Sequence, residues 1–66
     1  MKILINHSPL EVAPGTSVAD VLLYQGMSGD GIAVAVNNKV VPRGKWNTTY
    51  LFEGARLTVI RAVCGG

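Results

Sequence analysis

The stretch "PGTSVADVLLYQG", residues 14–26, decides the fold. Pro14 and Gly15 break whatever precedes them. Ser17 is a natural helix N-cap. Asp20 follows three residues later, near a capping-box position and in the first turn, where negative charge is favoured. Val18, Val21, Leu22 and Gln25 fall at i, i+3, i+4 and i+7, which is helical spacing with three of four places apolar. Gly26 is a stop signal. The pattern predicts one helix of about two and a half turns over "SVADVLLYQ".

Outward from this helix the chain reads as strand in both directions. Upstream, "KILIN" (residues 2–6) alternates, with Ile3 and Ile5 on one face and Lys2, Leu4 and Asn6 on the other. "NHSP" has turn chemistry, and "LEVA" (10–13) alternates again, so the amino-terminal part reads as a hairpin. Downstream, "GMSGDG" (26–31) is a glycine-rich loop. "IAVAVN" alternates Ile32, Val34 and Val36 against Ala33 and Ala35. "NN" is a turn, "KVV" (39–41) a short strand closed by Pro42, and "RGKWNTTYLF" irregular, with Trp46 anchoring it to the core. "EG" (53–54) turns into "ARLTVIRAV" (55–63), the longest strand signal.

The order is strand, strand, helix, strand, strand, strand. This is an α+β arrangement, a small mixed sheet with one helix packed on one face, and it is the element order of the β-grasp, or ubiquitin-like, fold. By analogy with that fold, the last strand is expected beside the first, in the middle of the sheet; such analogy says nothing about function. Residues 1–66 are expected to form a single domain, with 62–66 as an extended, flexible C-terminal tail.

Composition limits the chemistry. A 66-residue chain buries only roughly 60% of its unfolded surface, so its stability margin is thin. One cysteine and one histidine provide neither an internal disulfide nor a Cys/His metal cluster. The apolar run at the amino terminus, Ile3 to Ile5, is far too short for a signal-peptide core or a membrane span, so the expected location is cytoplasmic. Formal charge is +2, from six basic and four acidic residues. The basic residues are scattered and have no interleaved stacking aromatics, which argues against nucleic acid as a partner. No constellation suits catalysis: His7 lacks a partner at sensible spacing, and the glycines of 26–31 are not followed by the Lys-Ser/Thr of a phosphate loop.

Two features remain as candidate sites. The chain ends "VCGG". If the last strand runs almost to the stop, Gly65 and Gly66 are projected from a structured base. Five residues from Ala62 onward reach about 17 Å when extended. A tail without Cβ atoms can thread a narrow channel and leave the terminal carboxylate uncrowded. The competing reading is a frayed end. The second feature is a face of the sheet. Leu57, Val59 and Val63 are expected to face the helix, leaving Thr58, Ile60 and Ala62, with Leu4 of the neighbouring strand, on an uncovered face that suits partner docking.

At this point the sequence resembles the thiamine-biosynthesis sulfur carrier proteins, the ThiS family, over its whole length. The resemblance rests on "KILIN", "PGTSVADVLL", "AVAVNNKVVPRGKW" and "EGARLTVIRAVCGG", of which "VNNKVVPR" followed by Trp46 is the most specific. It implies that a ThiF-like adenylyltransferase activates the Gly66 carboxylate with ATP. A persulfide sulfur donor then displaces AMP to give a thiocarboxylate, and a ThiG-like thiazole synthase receives the sulfur. Gly66 would carry the sulfur, with Gly65 and Cys64 as the tail that enters the partner sites. The chain would be a co-substrate, not an enzyme, binding no cofactor or metal itself. Cys64 departs from the small or polar residue common in such carriers. A participating thiol needs a lowered pKa, and Arg61, the only nearby charge, is expected on the opposite face. Two alternatives stay open: a ubiquitin-like carrier of another pathway, of the molybdopterin synthase small-subunit type, and a protein-binding or tagging module.

Overall fold

Alternation along the first strand sets the two sides of the sheet. A computed structural model describes residues 1–27 and 31–61. Strand β1 (Lys2–Ile5) buries Ile3 and Ile5 and turns Lys2 and Leu4 the other way. It pairs antiparallel with β2 (Ser8–Glu11). Helix α1 (Val18–Tyr24) follows, then β3 (Ile32–Val36), β4 (Lys39–Val41), a 3-10 helix (Arg43–Thr48) and β5 (Arg56–Arg61). The strand order is β2-β1-β5-β3-β4. The last strand therefore lies in the centre, as the element order predicted. It is parallel to β1, with Leu4 beside Arg56 and Ile5 beside Leu57. It is antiparallel to β3 over five residues, from Ile32 beside Arg61 to Val36 beside Leu57.

The amino-terminal hairpin differs from the sequence reading. "NHSP" was expected to turn and the second strand to start at Leu10. Instead the turn takes only Asn6 and His7, and β2 begins at Ser8. Both turn residues have positive φ, 47° and 73°, and Asn37-Asn38 between β3 and β4 repeats the conformation at 49° and 69°. Two successive left-handed residues match the twist of the flanking strands, and asparagine tolerates that region better than most residues. Pro9 is accommodated because β2 is an edge strand. Met1 and Val12 exchange backbone hydrogen bonds of 2.7 and 2.8 Å. Counting inward, Pro9 opposite Leu4 falls at a non-hydrogen-bonded position, so its missing N–H faces the open edge.

The helix forms as its sequence dictates. The Asp20 amide donates to the Ser17 hydroxyl, and the Ser17 amide donates to the Asp20 carboxylate, both at 3.2 Å, completing a capping box. At the other end Gly26, at φ +70°, donates to the Leu23 carbonyl and Met27 donates to that of Leu22, a Schellman closure. Val18, Val21 and Leu22 are buried against Ile3, Val34 and Leu57 of the sheet. Each such side chain contributes about 1.5–3 kcal/mol when fully buried.

The segment read as irregular contains the 3-10 helix. Trp46 is buried there, and its indole N–H donates 2.9 Å to the Val41 carbonyl. After it, Thr49 accepts from the Val18 amide and Leu51 donates to Thr16, which ties this connection to the start of α1.

Candidate functional site

The central strand carries both candidate features, and its alternation separates them. Leu57 and Val59 turn toward the helix, buried and half-buried, while Arg56, Thr58 and Ile60 are exposed on the other face. The expected division of β5 is therefore seen for every described residue. Register extends the outer face across the sheet. Leu4 sits beside Arg56 and opposite Pro9; Ala35 lies opposite both Thr58 and Val40, and Ala33 opposite Ile60. No described helix covers this side. Ile60 is 59% exposed and Val40 75% exposed, far above what two aliphatic side chains in a sheet show when packed. Leu4, Thr58 and Ile60 are thus brought to one face. Val40 joins them, although the sequence reading had not singled it out. Its signal was the one-residue offset of "KVV" from the Val36 face, which only register converts into a position. Ala62, Val63, Cys64, Gly65 and Gly66 lie outside the described residues.

Asparagine side chains hold β5 in place from both flanks. The Asn6 amide group makes two bonds to Val59, accepting from its N–H at 2.9 Å and donating to its carbonyl at 3.2 Å. This replaces the ladder that β1 loses when it turns at residue 6. On the other side the Asn37 carboxamide oxygen accepts from the Arg56 N–H at 2.8 Å, and the Asn37 N–H donates to the Arg56 carbonyl. The turns therefore do more than reverse the chain: they fix the start and middle of the strand that leads to Gly66. The sequence reading took both asparagines for turn formers only.

Between the two turns the outer face has a shallow cavity of about 70 Å³, lined by Leu4, His7, Asn38, Arg56, Leu57 and Thr58. No group of three or more metal-ligating side chains occurs among the described residues, and no described helix is long and apolar enough to cross a membrane.

The ThiS family model matches residues 3–66. The chain is 29% identical to the sulfur carrier protein ThiS of Escherichia coli over 66 residues, all of both chains. It is 32% identical over the same length to a thiazole synthase of Magnetococcus marinus, of which it spans 20%. Two solved structures of a thiamine biosynthesis protein from Geobacter metallireducens share the fold. The crystal structure has a TM-score of 0.85 at 22% identity and full coverage of both chains. The solution structure has a TM-score of 0.78 at 20% identity, covering all of this chain and 88% of that one.

Proposed function

We infer the function from family membership: the chain belongs to the ThiS family, and it is a sulfur carrier of thiamine biosynthesis, not itself an enzyme. The working group is the carboxylate of Gly66. A carboxylate is a poor electrophile, so a partner must first activate it. Attack of the carboxylate oxygen on the α-phosphorus of ATP releases pyrophosphate and leaves a Gly66 acyl-adenylate. The outer sulfur of a persulfide then attacks the acyl carbon and AMP leaves. A thiol cleaves the resulting acyl disulfide at its S–S bond, is itself oxidised to a disulfide, and frees the thiocarboxylate. Splitting one difficult transfer into easier ones is the logic of covalent catalysis, here placed on a carrier.

The supporting observation is the reach of the family match, which runs from residue 3 through Gly66 and so includes the Gly65-Gly66 end. β5 is the central strand of the sheet, and its last described residue, Arg61, precedes Gly66 by five positions in the sequence. Gly65 and Cys64 form the rest of the tail that enters partner sites.

Two enzymes are the partners: a ThiF-like adenylyltransferase and a ThiG-like thiazole synthase, with a persulfide as sulfur source. The thiazole synthase is supported by the Magnetococcus marinus relative, in which a segment similar to this whole chain belongs to one polypeptide with the synthase. The outer face with Leu4, Thr58, Ile60 and Ala62 is where these enzymes dock, in the cytoplasm. The test is intact-mass analysis after incubation with the adenylating enzyme, ATP and a persulfide donor. One oxygen-for-sulfur exchange is expected. Its nominal mass equals that of one oxidation, and Met1, Met27 and Cys64 all oxidise. Fragmentation of a Cys64→Ala variant must therefore place the change on Gly66. A product with only the plain carboxylate overturns the reading.

A further inference from the structure

The outer face is apolar at its centre, and its charges are unevenly used. The three described carboxylates all have partners. Glu11 lies 3.6 Å from the Met1 ammonium, Asp20 accepts from the Ser17 amide, and Glu53 accepts from the Lys2 amide at 3.1 Å. Arg56 is different. Its backbone N–H and carbonyl are both bonded to Asn37, but its guanidinium has no hydrogen-bond or ion-pair partner among the described residues. It lines the cavity between the two asparagine turns together with Leu4, His7, Asn38, Leu57 and Thr58. Four of the residues that line this space of about 70 Å³, Arg56, Asn38, Thr58 and His7, have side chains that can donate hydrogen bonds. A carboxylate fits that volume, whereas a nucleotide does not.

We propose that this cavity is the charge-reading point of the docking face, and that it receives an aspartate or glutamate side chain from the adenylating enzyme. The proposal rests on the carrier reading above. An arginine fork pairs bidentately with a carboxylate, and Thr58 and Asn38 can satisfy the remaining lone pairs. Docking of the apolar part of the same face, with Ile60, Ala35 and Val40, excludes water from the interface, which strengthens the pair and fixes the rotation of the carrier on its partner. With the described carboxylates engaged and Arg56 without a described partner, this point of the face favours an acidic group over a basic one.

The test measures binding of the full 66-residue chain to the purified adenylating enzyme by calorimetry, at low and at high salt. Arg56→Gln is expected to weaken binding about tenfold at low salt and to flatten its salt dependence, with Arg56→Lys recovering part of the loss. Lys45→Gln makes the same charge change on the 3-10 helix, which packs against α1, and is expected to bind within about twofold of the parent. Melting curves confirm that each variant is folded, since the Arg56 side chain has no described partner to lose. Equal affinity and equal salt dependence for Arg56→Gln and the parent overturn the proposal. So does an equal loss in Lys45→Gln, which would make the effect one of net charge. Sulfur loading of the parent chain reads the carrier function separately. Loading with Arg56-independent binding removes only this proposal; no loading removes the carrier reading itself.

Discussion

At the scale of single residues, Asn6 has the most to explain. It sits at φ 47°, where few side chains are comfortable, and its amide completes two bonds to Val59. Its turn role was visible in the sequence; the clamp was not, because the partner lies 53 positions away. Asn6→Ala removes both bonds and keeps the strain, so it is expected to destabilise by about 2 kcal/mol. Asn6→Gly relieves the strain alone and should fall between. Urea denaturation of the two variants reads the difference. Gly66 is the opposite case, a residue whose role comes from chemistry and not packing. Deleting it should abolish sulfur loading while leaving the urea midpoint unchanged; a lowered midpoint would mark the end as structural.

At the scale of elements, the helix is the most legible part of the chain. Its seven residues form only about two turns, too few to persist alone, so the caps and the apolar stripe together decide it. Ser17→Ala loses one arm of the capping box and is expected to cost about 1 kcal/mol, and Gly26→Ala about 1–2 kcal/mol because Gly26 stands at φ +70°. Thermal unfolding of each variant checks both values. β2 was less legible. Proline reads as a breaker until its strand is known to lie at an edge, and edge position belongs to the sheet. The 3-10 helix was missed for a related reason: nothing in "RGKWNT" is periodic, and the segment is held by Trp46 reaching the Val41 carbonyl.

At the scale of the whole molecule, total stability is small, roughly 3–10 kcal/mol for a chain of this length. Trp46→Ala is expected to cost about 3–5 kcal/mol and to leave much of the protein unfolded at 37 °C, visible as lost near-ultraviolet dichroism. The two faces of the sheet should respond in opposite ways. Ile60→Asp, on the uncovered side, is expected to keep the melting temperature within a few degrees and to weaken partner binding at least tenfold. Val59→Asp, one residue away and facing the helix, should unfold the domain. If Ile60→Asp binds as the parent does, that face is not the docking surface.

The sequence by itself determined the elements that depend on near neighbours: the helix with its caps, the alternation of β1, β3 and β5, the two asparagine turns and the glycine pair at the end. Element order then pointed to the sheet, and the family motifs to the chemistry of Gly66. Tertiary structure decided what depends on distant pairing. It put β5 between β1 and β3, so that Leu4, Arg56, Thr58 and Ile60 share one face with Ala35 and Val40. It also brought His7, Asn38 and Arg56 around one cavity from three separate parts of the chain. The physical reason is range. Capping bonds and side-chain periodicity act over three or four residues, whereas register is set by the whole buried face at once.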